Sequence, residues 1–390
     1  MSGLRVAMVG AHPPSRSSLS EYLFHLASAL IAKPEITELM VLSDDLPEGQ
    51  YPPFVRAAWR TDSAASPFRI LQTLRRERPD LVVFNIHFGT FGSKPVPAAL
   101  GLLTPLLARS VGMRTMVILH NLVDLIDPST VGINGRWKAT IYRRVGRLLT
   151  RGLLASGLVA VTVPRYVEHL RTHYRKGSVV LVPHGSFGGE AKNGRPDRNG
   201  TPRILAFGKF GTYKRLETLV DAHRLLRSRR PLELVVAGAD HPSTPGYLAS
   251  MARSTGDHQD IRFIGYVPED EVGDVFASAD LVVLPYQSTT GSSGVLHQAG
   301  DYGRPVVLPA IGDFVDLMVE EGFAGEFFEP DDPLSLAAAI EKVLDDTDRR
   351  DELARQNRRA AAGLPMPEVA DWHLLHMLSL VEGTSDGSTK

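Results

Sequence analysis

Short runs of Val, Leu and Ile alternate with longer amphipathic segments along most of this chain. Runs that are apolar throughout read as strands buried on both faces of a parallel sheet, and the amphipathic stretches between them as crossover helices. In the first half the pattern predicts strands at 4–9, 38–42, 81–85, 115–119, 158–163 and 179–182, with helices such as 20–32 and 67–78 between them. A second series predicts strands at 203–207, 232–237, 261–264, 281–284, 306–308 and 325–328. Its helices fall near 215–227, 270–277, 295–302 and 333–344. Between the two series lies FGGEAKNGRPDRNGTP, rich in Gly, Pro and charge and poor in apolar residues, which reads as a linker. The expected fold is α/β, with two Rossmann-like doubly wound domains facing a central cleft. The domains are placed at 1–187 and 203–365, with the linker at 188–202. A further helix is expected at 366–382, and a small, polar, disordered tail at 383–390.

In doubly wound sheets, ligands sit beyond the carboxyl ends of the strands. One functional rim is therefore expected from the loops at 15–18, 85–92, 120–124 and 184–186. In the second half the informative stretch is LVVLPYQSTTGSSGVLHQAGDYGRPVVLP, from Leu281 to Pro309. It reads as strand, glycine turn, helix N-terminus and second strand. The first N–H groups of a helix have no partner within it, and Gly291, Ser292, Ser293 and Gly294 would let a phosphate approach that backbone closely. The plainer alternative is that the glycines only shape a turn before a core helix.

Composition narrows the reading. A chain of 390 residues is too long for one core and suits about two domains. A formal net charge of −1 offers no global attraction to nucleic acid or anionic membrane. There are no cysteines, so disulfides, thiolate metal sites and cysteine nucleophiles are excluded. The start, MSGLRVAMVGAHPP, suits a first buried strand better than a secretory signal. No apolar run approaches the roughly twenty residues of a spanning helix. The expectation is a cytoplasmic protein, with peripheral contact at the inner face of the membrane as its variant.

The second half resembles, in order and spacing, the donor domain of the retaining glycosyltransferases of family 4, which have the GT-B fold. The matching segments are ILAFGKFGTYKRLETLVDAHRLL, ELVVAGAD, IRFIGYVPEDEVGDVFASADLVVLPY, the Gly/Ser loop, AGDYGRPVV and DLMVEEGFAGEFFEPDDPLSLAAAI. The first half matches more loosely, through PPSRSSLSEYLFHLASAL, VILHNL, SGLVAVTVPRYVEHL and VVLVPHGSF. The resemblance implies transfer of a sugar from a nucleotide-sugar donor to a carbohydrate or lipid-linked acceptor, without a metal or other cofactor and without nucleic acid. It also implies that the helix at 366–382 crosses back to the first domain. Lys209 and Lys214 stand where the family places cations on the donor phosphates. His120 stands where it has a histidine on the donor sugar. These three are the expected catalytic residues.

The resemblance further assigns Thr290, Gly291, Ser292, Ser293, Gly294, Val295 and Gln298 to the donor, with Ser17 and Ser18 near the family's paired glycines. Thr290 and Gln298 occupy the places of two glutamates usual in the family, so the donor pocket is altered. Gln298 keeps one amide oxygen for a ribose diol, and Thr290 a hydroxyl. Asn85, His87 and Asp124 are weaker candidates for acceptor contacts. Glu320 and Glu321, in DFVDLMVEEG, lie in a segment the family places near the cleft, and the favoured reading is a solvated helix end. GRWKATIYRRVGRLLTRG, at 135–152, is basic and amphipathic and suits either an anionic lipid surface or packing on the sheet. The function expected is retaining hexosyl transfer in cell-surface polysaccharide or glycoconjugate synthesis. Alternatives are a degenerate nucleotide-sugar-binding subunit and a nucleotide-sugar epimerase of the same fold.

Overall fold

The computed structural model describes residues 3–15, 17, 19–45, 52–125, 135–174, 177–189, 200–256, 259–288 and 291–382. The chain forms two compact units, 1–184 together with 366–390, and 185–365. Most of the expected linker, 190–199, the tail from 383 onward, Ser18 and Thr290 lie outside the described residues.

The first unit is built on a seven-stranded sheet: β1 (Leu4–Val9), β2 (Ile36–Asp44), β3 (Val55–Trp59), β4 (Leu81–Ile86), β5 (Thr115–Leu119), β6 (Leu158–Val161) and β7 (Ser178–Leu181). All neighbours are parallel, in the order β3-β2-β1-β4-β5-β6-β7. The chain winds outward from β1 in one direction and from β4 in the other, so the switch point lies between them. Val9, Leu42, Phe84, Val117 and Val161 are among the strand residues of the core and are fully buried. The β3 strand is missing from the sequence-based expectation because Arg56 and Ala57 are exposed at this edge, and a five-residue edge strand shows no continuous apolar run. Helix Met366–Glu382 packs on helix Ser20–Ile31 within this unit. Lys33 Nζ pairs with Asp371 at 2.6 Å, and the Tyr22 hydroxyl lies 3.4 Å from His373 Nε2.

The second unit holds six parallel strands: β8 (Arg203–Phe210), β9 (Glu233–Asp240), β10 (Ile261–Gly265), β11 (Leu281–Val283), β12 (Val306–Pro309) and β13 (Gly325–Phe328). Their order is β10-β9-β8-β11-β12-β13, which puts this switch point between β8 and β11. The β8 strand runs three residues beyond the expected end because Gly208 pairs with Gly238. A Cβ at Gly238 would fall 1.8 Å from the Gly208 carbonyl oxygen, so the strands stay paired this far only with glycine there. Helix Thr347–Ala362, also unexpected from periodicity, buries only Leu353, Asn357 and Ala361. Asn357 accepts from Ala324 N–H at 2.8 Å and donates to the Arg304 carbonyl at 3.2 Å, fixing this charged helix to the loops beside it.

Candidate functional site

The second unit gathers cations around the carboxyl end of β8. Gly211 N–H donates to the Lys214 carbonyl at 2.9 Å, closing a tight turn, and Lys214 forms an isolated antiparallel bridge with Tyr286 just after β11. Two further backbone bonds, Arg215 to Pro285 and Gln287 to Tyr213, clamp the turn onto that segment. The Lys214 ammonium lies 4.5 Å from the centre of the Tyr286 ring, a geometry that favours a cation. A Cβ built on Gly208 would meet Lys214 Nζ at 3.5 Å and Val295 Cγ2 at 3.9 Å, so ammonium, glycine backbone and helix start share one place. Among the described residues no carboxylate pairs with Lys214.

His241, which the sequence reading missed, joins them. Its imidazole is pushed below the usual histidine range by burial first, then by the positive charges of Lys209 and Lys214. Ser243 N–H donates to its Nδ1 at 3.2 Å, so the ring proton sits on Nε2. Its one sequence signal is its position directly after a strand, next to the loop across from Lys209.

The glycine turn then leads into helix Gly294–Asp301. Gly291 has φ of 141°, a conformation that favours glycine. Ser293 is the N-cap but makes no side-chain cap bond, and the first-turn N–H groups of Gly294 and Val295 meet no acceptor among the described residues. The Tyr286 hydroxyl has Ser293 for a neighbour, yet neither oxygen completes a well-formed hydrogen bond among those residues. Gln298 is buried one turn further along. Ser292 Oγ lies 3.2 Å from His297 Nε2, and the same nitrogen lies 3.3 Å from Glu321 Oε2. Here the solvated helix end expected at Glu320 and Glu321 needs correction. Glu320 is exposed, but the Glu321 side chain is only 6% exposed. Burial, with a smaller push from Glu320, raises its carboxyl to about 8. Among the described residues no three His, Asp or Glu side chains form a group able to hold a metal ion.

In the first unit, His120 follows β5 and is buried, with Nε2 2.7 Å from Asn85 Oδ1 at the end of β4. Tyr22 packs edge-on against it, ring centres 4.6 Å apart. Burial, and then His184, His87 and His373, hold its pKa well below the usual range, so it is a neutral hydrogen-bonding group. His87 Nδ1 accepts from Gly89 N–H at 3.0 Å, which leaves its ring proton on Nε2. Asn85, His87 and His120 are thus brought together. Ser17 and Asp124 are not part of that group. Ser17 Oγ turns to Asp44 at 3.4 Å, and the Asp124 carboxylate is engaged by Tyr174 (2.7 Å), His169 (3.0 Å) and Thr150 (3.3 Å).

Residues 201–346 match the family model described as Glycosyl transferases group 1. Over this stretch the chain is similar to the group 1 glycosyltransferases. The stretch contains Lys209, Lys214, His241, the Gly/Ser loop, His297 and Glu321, whereas Ser17, Asn85, His87, His120 and Asp124 precede it. Similar curated proteins include the D-inositol 3-phosphate glycosyltransferases of Corynebacterium diphtheriae and Salinispora arenicola. The first is 26% identical over 50% of this chain and 50% of its own length. The second is 32% identical over 43% and 38%. The chain thus spans about half, or less, of the curated relatives it matches. Among solved structures, sucrose-phosphate synthase from Thermosynechococcus elongatus is similar with a TM-score of 0.74 at 18% identity, covering 98% of this chain and 99% of that one. WaaG, a glycosyltransferase involved in lipopolysaccharide biosynthesis, gives 0.70 at 16% identity over 94% and 98%. Anabaena HepE in complex with UDP-glucose gives 0.68 at 15% identity over 96% and 100%. At these identities the likeness is one of fold. The matched stretch thus lies in the second of two Rossmann-like domains of a GT-B fold.

Proposed function

We propose that this protein is a retaining glycosyltransferase that moves a hexosyl group from a nucleotide sugar to a carbohydrate or lipid-linked acceptor, in cell-surface polysaccharide or glycoconjugate synthesis. The observation that carries the reading is the convergence, inside the matched stretch, of Lys209, Lys214 and His241 at the ends of β8 and β9, with the start of helix Gly294–Asp301 beside Lys214. Breaking the bond from the anomeric carbon to the leaving phosphate develops negative charge on the nucleoside diphosphate. Fixed ammonium groups and free N–H dipoles aimed at that charge supply the main stabilisation. The bond that forms joins the acceptor oxygen to the anomeric carbon, and the acceptor proton passes to the leaving phosphate, so no protein carboxylate is required as base. No metal is part of the proposal. In the first unit, Asn85 and His87 are offered to the acceptor, and His120 contributes a neutral imidazole.

The exposed face of helix Arg136–Ser156 supports the lipid-linked form of this reading. The helix buries Leu149, Leu153 and Leu154, whereas Trp137 (67% exposed), Ile141, Val145 and Leu148 (65%) face solvent. At 3.6 residues per turn these four share one side, flanked by Lys138, Arg144 and Arg151. An apolar stripe rimmed by cations fits an anionic lipid surface. Among the described residues no helix is long and apolar enough to cross a membrane.

A thermal-shift panel of UDP, GDP, ADP and dTDP with their common sugar conjugates tests the donor site, since a ligand of the folded state raises its melting temperature. Turnover of the donor that shifts the melt, with and without EDTA, then tests transfer and its metal independence. Gln298 in place of a family glutamate favours one rival, a nucleotide-sugar-binding subunit. Binding without hydrolysis or transfer would establish that rival.

A further inference from the structure

The turn that carries Lys214 is held from a second side, which the reaction as just described does not use. Helix Tyr247–Thr255 begins beside it. At Gly211, where φ is 112°, a Cβ would fall 2.2 Å from Thr244 Oγ1 and 3.0 Å from Tyr247 Cγ, so the turn lies directly against that helix start. The Tyr247 hydroxyl accepts from Leu216 N–H at 2.7 Å and donates to Glu217 Oε2 at 2.8 Å. Arg215 grips both oxygens of the same carboxylate, through Nε at 3.2 Å and Nη2 at 2.7 Å, and its guanidinium also lies beside the hydroxyl. Gly211 on one side of Lys214, and Arg215, Leu216 and Glu217 on the other, thus all meet Tyr247 or the carboxylate that it binds.

The direction of each bond is fixed. A backbone N–H and a guanidinium can only donate, and an ionised carboxylate can only accept. Burial would raise the Glu217 carboxyl, but Arg215 and Tyr247 together bring it below the usual carboxylate range. The single hydroxyl proton of Tyr247 therefore goes to Glu217, and its oxygen is the acceptor for Leu216. Leu216 is buried at the N-cap of helix Glu217–Arg227, so its N–H has no partner within that helix. Tyr247 is itself anchored to the end of β9. Asp240 accepts from Gly246 N–H at 2.6 Å and from Leu248 N–H at 2.8 Å, one on each carboxylate oxygen. The next residue is His241, whose N–H donates to the Phe210 carbonyl at 2.7 Å. One phenol thus ties the Lys214 turn to the loop that carries His241. With Arg215 and Glu217 47% and 42% exposed, their ion pair alone contributes little stability, and what it offers is orientation.

We propose, on the reading that this end of β8 binds the donor diphosphate, that Tyr247 is a positioning residue for Lys214. The bond from Arg215 to Pro285 and the bridge from Lys214 to Tyr286 hold the turn from the side of β11, and the Tyr247 hydroxyl holds it from the side of β9. Held on both sides, the Lys214 ammonium stays over the Tyr286 ring, beside Gly208 and the start of helix Gly294–Asp301, where the diphosphate would lie. A cation fixed before charge develops needs no reorganisation when it does. Without the hydroxyl the turn loses its support from β9, and the ammonium loses part of its contact with phosphate.

The test is a double-mutant cycle in the affinity of the full chain for whichever of UDP, GDP, ADP and dTDP binds, read by calorimetry beside the melting temperature. Tyr247→Phe keeps the ring against Gly211 and removes both hydroxyl bonds. It should weaken binding about fivefold, part of the about tenfold or more that a hydrogen bond to a charged group is worth. In the Lys214→Ala background the same change should cost no further affinity, a coupling that a merely structural tie would not produce. Equal losses in the two backgrounds would mean that Tyr247 acts through general packing, and would overturn the inference. A lower melting temperature with unchanged affinity overturns it as well. If Tyr247→Phe does not fold, Glu217→Ala, at a half-exposed position, takes its place. Unchanged affinity there, or a loss that persists in the Lys214→Ala background, has the same force. Lys214→Ala alone separates the two levels. Loss of affinity there with none at Tyr247 or Glu217 sinks the positioning role and leaves the donor site standing. No nucleotide binding by the wild type sinks both.

Discussion

Replacing Glu321 by Gln removes one ionisable group while keeping an oxygen that can face His297. In the folded protein the Glu321 carboxyl holds its proton up to about pH 8, whereas the ordinary value is 4.5. Between these values the folded chain binds more protons than the unfolded chain, so stability must fall as pH rises through the window. The stabilising term is complete below about pH 4.5 and gone above about pH 8. At about 1.4 kcal/mol per unit, the gap amounts to an upper figure of about 5 kcal/mol. That is a large part of the net stability of an ordinary domain. Glu321→Gln should lose this dependence and become the more stable protein at pH 9. The assay is urea denaturation from pH 5 to 9, followed by far-UV circular dichroism because Trp59, Trp137 and Trp372 all lie in the other unit. The difference between variant and wild type is the quantity to read. His12, His120, His241 and His373 have depressed values, and their contribution instead rises with pH toward about 6.5, in both proteins alike. A difference that stays flat across the range would show that Glu321 ionises like an exposed carboxylate and would refute the buried assignment.

Lys214→Ala should weaken nucleoside-diphosphate binding by about 1.5–3 kcal/mol in calorimetry, and Lys214→Met, which keeps the stem over Tyr286, should lose as much affinity with less loss of melting temperature. Gly238→Ala sets a methyl 1.8 Å from the Gly208 carbonyl oxygen at φ of 138°, and should cost more than about 4 kcal/mol or prevent folding of the second unit, as judged by urea titration. Gly208→Ala meets nothing closer than 3.5 Å, so its strain at φ of 132° should cost only about 1–3 kcal/mol while its methyl crowds Lys214 and weakens nucleotide binding. Trp137→Ser combined with Leu148→Ser should reduce cosedimentation with vesicles containing anionic lipid severalfold and leave the nucleotide-induced melting shift unchanged; equal cosedimentation would remove this helix from the membrane reading.

The two sheets were readable because their central strands are apolar on both faces, as at Leu81–Ile86, where every position is buried. The edge strand β3 escaped because exposure at Arg56 and Ala57 interrupts the run. The Gly/Ser turn was likewise readable, since strand, glycine and helix follow one another in sequence. What periodicity could not supply was the clamp of Lys214 on Tyr286, or the approach of His241, because both depend on pairing between segments far apart in the chain.

Glu321 is a different kind of miss, because its signal was present. Phe314, Leu317 and Met318 are buried on helix Gly312–Glu321, and Glu321 follows them at the spacing i, i+3, i+4, i+7. An acid in the last place of an apolar stripe must be neutralised, paired or turned out to water. Its neighbour Glu320, off the stripe, is exposed, so adjacent and identical residues differ only by the rotation of one helical step. His297 gave no such signal, because helix Gly294–Asp301 is buried nearly all round and has no polar face against which a histidine would stand out. The acid on the stripe was therefore the readable half of the pair, and its need for a partner is what should direct attention to the buried histidine opposite.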